Sequence, residues 1–192
     1  MAKKLESSLV NMFVVLTVIT VLSAAALAAM NSATIEPIKK AQQQKTEAAI
    51  KMVLPQFTSL EDKTVSVDGE DIVCNYAYND SKELVGMAVK SFTNKGFNGY
   101  IGVMVGFDKD GNITGYQILE TGETPGLGTK ADTWFQEGGK GCIIGMNPEK
   151  NNMTVKKDGG EVDAITAATI STRAFCDAID RAYKAFKNGG NE

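Results

Sequence analysis

The stretch "GYIGVMVGFDKDGNITGYQILE", residues 99–120, carries the plainest pattern in the chain. Ile101, Val103, Val105 and Phe107 occupy every second position, the period of a strand with one face turned to a core. "DKDGN" then supplies turn residues, and Ile113 to Leu119 run back beside the first strand. Strands joined by so short a turn pair antiparallel. The turn has a faint calcium-loop character through Asp108, Asp110 and Gly111. Leu119 holds the position where such a loop needs glutamate, so the reading is a plain hairpin turn.

Two further strand signals precede the hairpin: "EDIVCNYAYN" (70–79) and "ELVGMAVKSF" (83–92), short runs rich in β-branched and aromatic residues. After it, "ADTWFQ" predicts a short helix with Trp134 and Phe135 partly inward. The stretch from Thr169 to Lys187 repeats Ile170, Ala174, Ala178, Ala182 and Phe186 every four residues, flanked by Phe175, Ile179 and Tyr183. That is an amphipathic helix, ended by Gly189 and Gly190. The fold class is α+β, an antiparallel sheet with helices packed on it.

The amino-terminal part follows different rules. From Ser7 to Ile35 there is no charged side chain, and Leu9 to Met30 is long enough to cross a hydrocarbon core, which takes about 20 residues. A cleaved signal peptide competes, because "AAALAAM" offers small-residue cleavage sites, but its apolar core spans only about 7 to 15 residues. Lys3 and Lys4 favour a leading tail kept in the cytoplasm, and Lys39, Lys40 and Lys45 on the other side weaken that asymmetry. Either alternative sends the remainder across the membrane. The expected organisation is a cytoplasmic tail (1–8), a transmembrane helix (9–30), a connecting helix (31–54) and an extracytoplasmic domain (55–192). Within the connecting segment, Pro37 lies near the first turn of a helix whose loose apolar face is Ile38, Ala41, Ala48, Ile50 and Leu54.

Composition removes whole classes of chemistry. The chain has 192 residues, net charge -3 and no histidine. The balance is not that of a nucleic-acid binder. Without imidazole there is no Ser-His or Cys-His nucleophile, no histidine-ligated haem and no ordinary zinc site. Cys74, Cys142 and Cys176 are widely spaced, with no C-x-x-C. They read as buried apolar residues, and whether two of them pair stays open.

Two loops remain. "ETGETPGLGTK" (120–130) combines one fixed dihedral at Pro125 with two free ones at Gly126 and Gly128, which suits a backbone lying against a flat ligand, or equally a tight surface turn. "DAITAATIST" (163–172) places Thr166, Thr169, Ser171 and Thr172 where a helix begins. One capping oxygen suffices there, and Asp163 or Thr166 could supply it. A helix amino terminus also presents unpaired N–H groups to an anion, and a hydroxyl in that turn can be esterified by phosphate.

Together, "ETPGLG" (Glu123 to Gly128) and Asp163-x-x-Thr166-x-Ala168-Thr169 resemble the FMN-binding domain of the Rnf complex G subunit, shared with the C subunit of the sodium-pumping NADH:quinone oxidoreductase. The resemblance runs over nearly all of the sequence, whose length is similar to that of the G subunit. It implies a membrane-anchored subunit that relays electrons within a redox-driven ion pump of the ferredoxin/NAD type. It implies FMN linked through its phosphate to Thr169 by a flavin transferase that reads Asp163, with Thr166 and Ala168 around the phosphate and Thr124, Leu127 and Gly128 against the ring. It further implies other membrane and peripheral subunits as partners. Two departures stand out: the family usually has glycine where this chain has Ala167, and relatives often carry a histidine shortly before the proline-glycine loop. The rival readings are the C subunit of the sodium pump and a membrane-tethered binding or regulatory module without redox chemistry.

Overall fold

The computed structural model describes residues 8–54 and 56–190. The lysines of the expected cytoplasmic tail lie outside them. Helix α1 runs unbroken over Leu9–Val53. The sequence reading placed a new helix start at Pro37, but Pro37 sits inside α1. A proline removes one donor and crowds the carbonyl four residues back; here that carbonyl belongs to exposed Ala33, where water can satisfy it. As far as Gln44, α1 is exposed along its length apart from half-buried Asn11. By length and composition this helix can cross a membrane.

The chain from Lys45 onward forms a second unit. It therefore begins ten residues before the boundary read from sequence, because Ala49, Ile50, Val53 and Leu54 are buried against the sheet. Ile38, Ala41 and Ala48, expected on the apolar face, are exposed.

Five strands follow: β1 Ser59–Val67, β2 Glu70–Tyr78, β3 Leu84–Gly96, β4 Gly99–Asp108 and β5 Ile113–Thr121. They pair antiparallel in chain order, a simple meander. The hairpin read from residues 101–119 is β4 and β5, with Val105 opposite Tyr116. In its turn the Asp108 carboxylate accepts the N–H groups of Asp110 and Asn112, both at 2.9 Å, and Gly111 takes the left-handed conformation at φ 80°. Strand β4 is buried on both faces, Val103, Val105 and Phe107 on one and Met104 on the other.

A short helix α2 (Ala131–Trp134) and the long helix α3 (Thr169–Gly189) complete the domain. Helix α3 lies mainly across β3. Its inward residues Ala174, Phe175, Ala178, Ile179 and Ala182 join Met87, Val89, Val105 and Phe107 in the main core. Small alanines allow the helix close to the sheet, and Phe175 fills the space beyond them. Its ring stacks on Phe135 with centroids 4.4 Å apart and meets Tyr116 edge-on at 4.9 Å. Truncating Phe175 to alanine would cost about 3–5 kcal/mol. Helix α3 closes without the left-handed glycine expected of a carboxyl-terminal cap: Gly189 is its last residue, Gly190 keeps φ at -78°, and the Gly189 carbonyl accepts the Tyr76 hydroxyl at 2.9 Å.

The two sheet edges differ. Beyond β1 there is no further strand among the described residues, and its Ser59–Lys63 half is exposed. Along β5 the segment after α2 covers the edge: Ile113 N–H donates to the Met146 carbonyl, Gly145 N–H to Ile113, and the Gln136 side chain to the Tyr116 carbonyl.

Candidate functional site

At one end of the sheet three segments meet around a cleft of about 320 Å³. The β3–β4 turn contributes Phe97, the loop after β5 contributes Glu123, Thr124, Leu127 and Gly128, and the start of α3 contributes Ala167 to Ser171. The volume lies within the range of small-molecule and cofactor sites, roughly 300–1,000 Å³. The lining is largely apolar. Phe97 is 65% exposed, Ile170 48% and Leu127 40%, so three large apolar side chains ring the opening. Ile170 is the one residue of the α3 repeat that does not turn to the core.

The start of α3 is built without a side-chain cap. Its N-cap residue is Ala168, and no side chain bonds the first N–H groups. The four hydroxyls divide into two pairs. Thr172 is fully buried; its Oγ1 accepts the Ile165 N–H and donates to the Ala168 carbonyl, both at 3.0 Å. Ser171 is buried and donates to Glu123 Oε2 at 2.7 Å. Thr166 and Thr169 point away from the core, and among the described residues neither hydroxyl has a hydrogen-bond partner. Thr169 lines the cleft and Thr166 does not. Ala167 between them holds φ at 63°, a left-handed conformation that an L side chain adopts at a cost of about 1–2 kcal/mol. Glycine there would be free of it, which gives a physical reason for the glycine the family usually has, and Ala167 bears the strain instead.

The proline-glycine loop is a compact turn. Leu127 N–H donates to the Thr124 carbonyl at 3.1 Å, Gly126 N–H to Thr129 Oγ1 at 3.0 Å, and Gly126 stands at φ 76°. The need for glycine at 128 has a source the sequence did not reveal. A Cβ there would stand 2.4 Å from Glu123 Oε2 and 2.8 Å from Ser171 Oγ. The close approach is thus to a side chain of the same loop and to α3. Glu123 is 6% exposed. The sequence reading names it only as the first residue of the ETPGLG motif and gives it no role of its own.

Asp163 lies apart from the cleft. Its carboxylate pairs with Lys156 at 2.7 Å, and its carbonyl accepts the Trp134 indole N–H at 2.9 Å. It caps nothing. Next to it, Arg173 holds Asp158 through two hydrogen bonds of 2.7 and 2.9 Å, which keep the Asp158 carboxyl below its ordinary range. The cysteines are unbridged. Burial pushes the Cys74 thiol up to about 11 and the Cys176 thiol up to about 12, so neither is a nucleophile near neutral pH.

The site of the sequence reading is therefore assembled in part: Thr124, Leu127, Gly128, Ala168 and Thr169 share one cleft, with Thr166 beside it and Asp163 outside it. The FMN-binding domain family matches residues 96–184, a span holding every cleft residue. The crystal structure of Shewanella oneidensis NqrC superposes with a TM-score of 0.50 over 68% of this chain and 67% of that one, at 23% identity, so the fold is shared. The G subunit of the ion-translocating oxidoreductase complex of Shewanella baltica is 31% identical over 84% of this chain and 82% of its own length. Its namesake from Methanosarcina acetivorans is 34% identical over 92% and 94%. The G subunit of the Na(+)-translocating ferredoxin:NAD(+) oxidoreductase complex of Acetobacterium woodii is 30% identical over 91% and 89%. Sustained along nearly the whole of both partners, from the apolar helix to α3, this likeness shows that the chain belongs to the G-subunit family of ion-translocating oxidoreductase complexes.

Proposed function

We propose that this protein is the membrane-anchored electron-transfer subunit of a ferredoxin/NAD-type ion-translocating complex, and that it carries FMN esterified through its phosphate to Thr169. The observation that carries the covalent assignment is the division of the hydroxyls. Of the four, Thr169 alone both lines the cleft and lacks a partner among the described residues. It sits on the first turn of a 21-residue helix whose leading N–H groups no side chain caps. Those donors and the helix dipole favour a phosphate at that place. The apolar rim of Phe97, Leu127 and Ile170 suits the flat body of an isoalloxazine. The residues present fit the group.

The flavin, when bound, supplies reversible electron transfer, and the chain supplies position and electrostatics. Thr169 fixes the phosphate end. Leu127 and Ile170 exclude water from the apolar side of the ring. Thr124, its hydroxyl accepting the Asn98 side-chain N–H at 3.3 Å, keeps the proline-glycine loop against the β3–β4 turn. A tether suits a carrier on the extracytoplasmic side, where a lost cofactor cannot be replaced from the cytoplasmic pool. Asp163 stands clear of the cleft with its carboxylate partly exposed, a position a flavin transferase can reach during maturation. The other subunits of the complex are the partners. The C-subunit alternative is less well supported, since the likeness on that side is 23% and on the G-subunit side 30–34% over most of the sequence.

The test is ultraviolet fluorescence of the denatured protein in a gel after co-expression with a flavin transferase. A fluorescent band that survives denaturation supports the covalent reading, and its absence with an active transferase sinks it. A carboxyl-terminal reporter active only outside the cytoplasm would support the orientation; activity of its cytoplasmic form would reverse it.

A further inference from the structure

Among the described residues Glu123 is the one buried carboxylate of the domain core, and it belongs to no ion pair there. Buried charges are ordinarily paired, because removing them from water is costly. This one sits in a slot made for it. Ser171 donates to Oε2 at 2.7 Å, and the Asn98 N–H approaches Oε1 at 3.4 Å. Two glycines wall the slot: a Cβ on Gly96 would stand 2.6 Å from Oε1, and one on Gly128 would stand 2.4 Å from Oε2. The β3–β4 turn, the proline-glycine loop and α3 all give up volume or a donor to keep this carboxylate in the lining of the cleft.

A mere clamp between three segments needs no charge; an amide or hydroxyl would bridge Ser171 and Asn98 as well. What a carboxylate adds is a fixed negative field at the place where the flavin lies. From the slot's geometry we infer that Glu123 sets the reduction potential of the bound FMN, holding it more negative than the ring would be in an uncharged cleft. The inference rests on FMN occupying this cleft. Reduction by two electrons and one proton leaves the ring one unit more negative, and a fixed negative charge at close range opposes that change. In a site partly withdrawn from water the opposition amounts to several times thermal energy. Ser171 moderates it by hydrogen-bonding the carboxylate, and so acts as a positioning residue.

The experiment is a spectroelectrochemical titration of the full-length, FMN-loaded protein and its Glu123→Gln variant. Glutamine keeps the shape, and the Ser171 hydroxyl can accept from its amide as readily as it donates to the acid. The ratio of reduced to oxidised flavin at a fixed applied potential should rise at least tenfold, equivalent to about 30 mV for a two-electron couple. Flavin still attached at an unchanged potential would overturn the role of Glu123 and leave the FMN reading intact. Absence of flavin from the wild type would instead remove the FMN reading. If the glutamine variant fails to fold or to load, Ser171→Ala asks the same question with the charge retained. Its carboxylate loses a donor, so the potential should fall, and no movement there would also overturn the inference.

Discussion

The outer and inner faces of the first turn of α3 are made from the same residue types and do opposite things. On the inner face Ser171 and Thr172 are buried and fully engaged, tying α3 to Glu123, Ile165 and Ala168. On the outer side Thr169, and Thr166 in the turn just before the helix, are engaged with nothing among the described residues. A hydroxyl with a buried partner is structural, because its loss strands a donor or acceptor. A hydroxyl left free beside uncapped N–H groups is available chemistry. Two residues of sequence separate the one from the other.

The strongest way to break this contrast is Thr169→Ala. With no cap bond to lose, the variant should fold with unchanged thermal stability, reach the membrane and carry no covalent FMN. Mass spectrometry of the tryptic peptide ending at Arg173 decides it, and flavin found on Thr166 or Ser171 would reverse the roles of the two faces. The mirror experiment is Thr172→Ala. It should keep its flavin and lose about 1–3 kcal/mol of stability, because the buried Ile165 N–H is left unpaired. Urea titration measures this; a midpoint equal to wild type would mean that the inner hydroxyl is as idle as the outer.

A smaller effect, marked by pH, comes from farther along α3. Burial raises the Asp180 carboxyl above its ordinary 3.8, and the neighbouring Asp177 charge raises it further. Asp180 favours the fold fully below pH 3.8, and this contribution disappears as pH rises through the raised value. Asp180→Asn should therefore melt higher than wild type at neutral pH, and the gain should vanish on acidification toward 3.8. A gain independent of pH would point to packing instead. The smallest change is expected between the two outer threonines. Ala167→Gly relieves the left-handed strain at φ 63° but adds freedom to the unfolded chain, for a net gain of about 1 kcal/mol or less. A loss of stability would mean that the Ala167 methyl makes a contact worth more than the strain.

Much of this was legible in the sequence. The β4–β5 hairpin announces itself because β4 alternates in a fixed period and Asp108 and Gly111 are turn residues by their own chemistry. Helix α3 is equally plain, with alanines at every fourth position. Strand β1 was missed: "SLEDKTVSV" is largely exposed and carries no apolar alternation before Val65, so its pairing with β2 is decided by the neighbour strand. The helix start read near Pro37 lies inside α1 instead, because proline's cost is local and an exposed helix can bear it. In the site, the cluster of hydroxyls was visible, but their division was not. Which side of the turn faces Glu123 depends on a residue 48 positions away, and no spacing rule reaches that far.

The unequal edges of the sheet bear on how the protein avoids self-association. An uncovered strand is a template for pairing with another molecule. At β1 the defence is electrostatic, since Glu61, Asp62 and Lys63 stand on the open edge and make a second copy unwelcome there. At β5 the strand itself is apolar, and the defence is the covering held by Met146, Gly145 and Gln136. Loosening that covering would expose a sticky ribbon of Ile113, Tyr116 and Ile118, so damage between residues 136 and 146 should show as aggregation before it shows as lost flavin. The more fragile of the two safeguards is the one that no charge backs up.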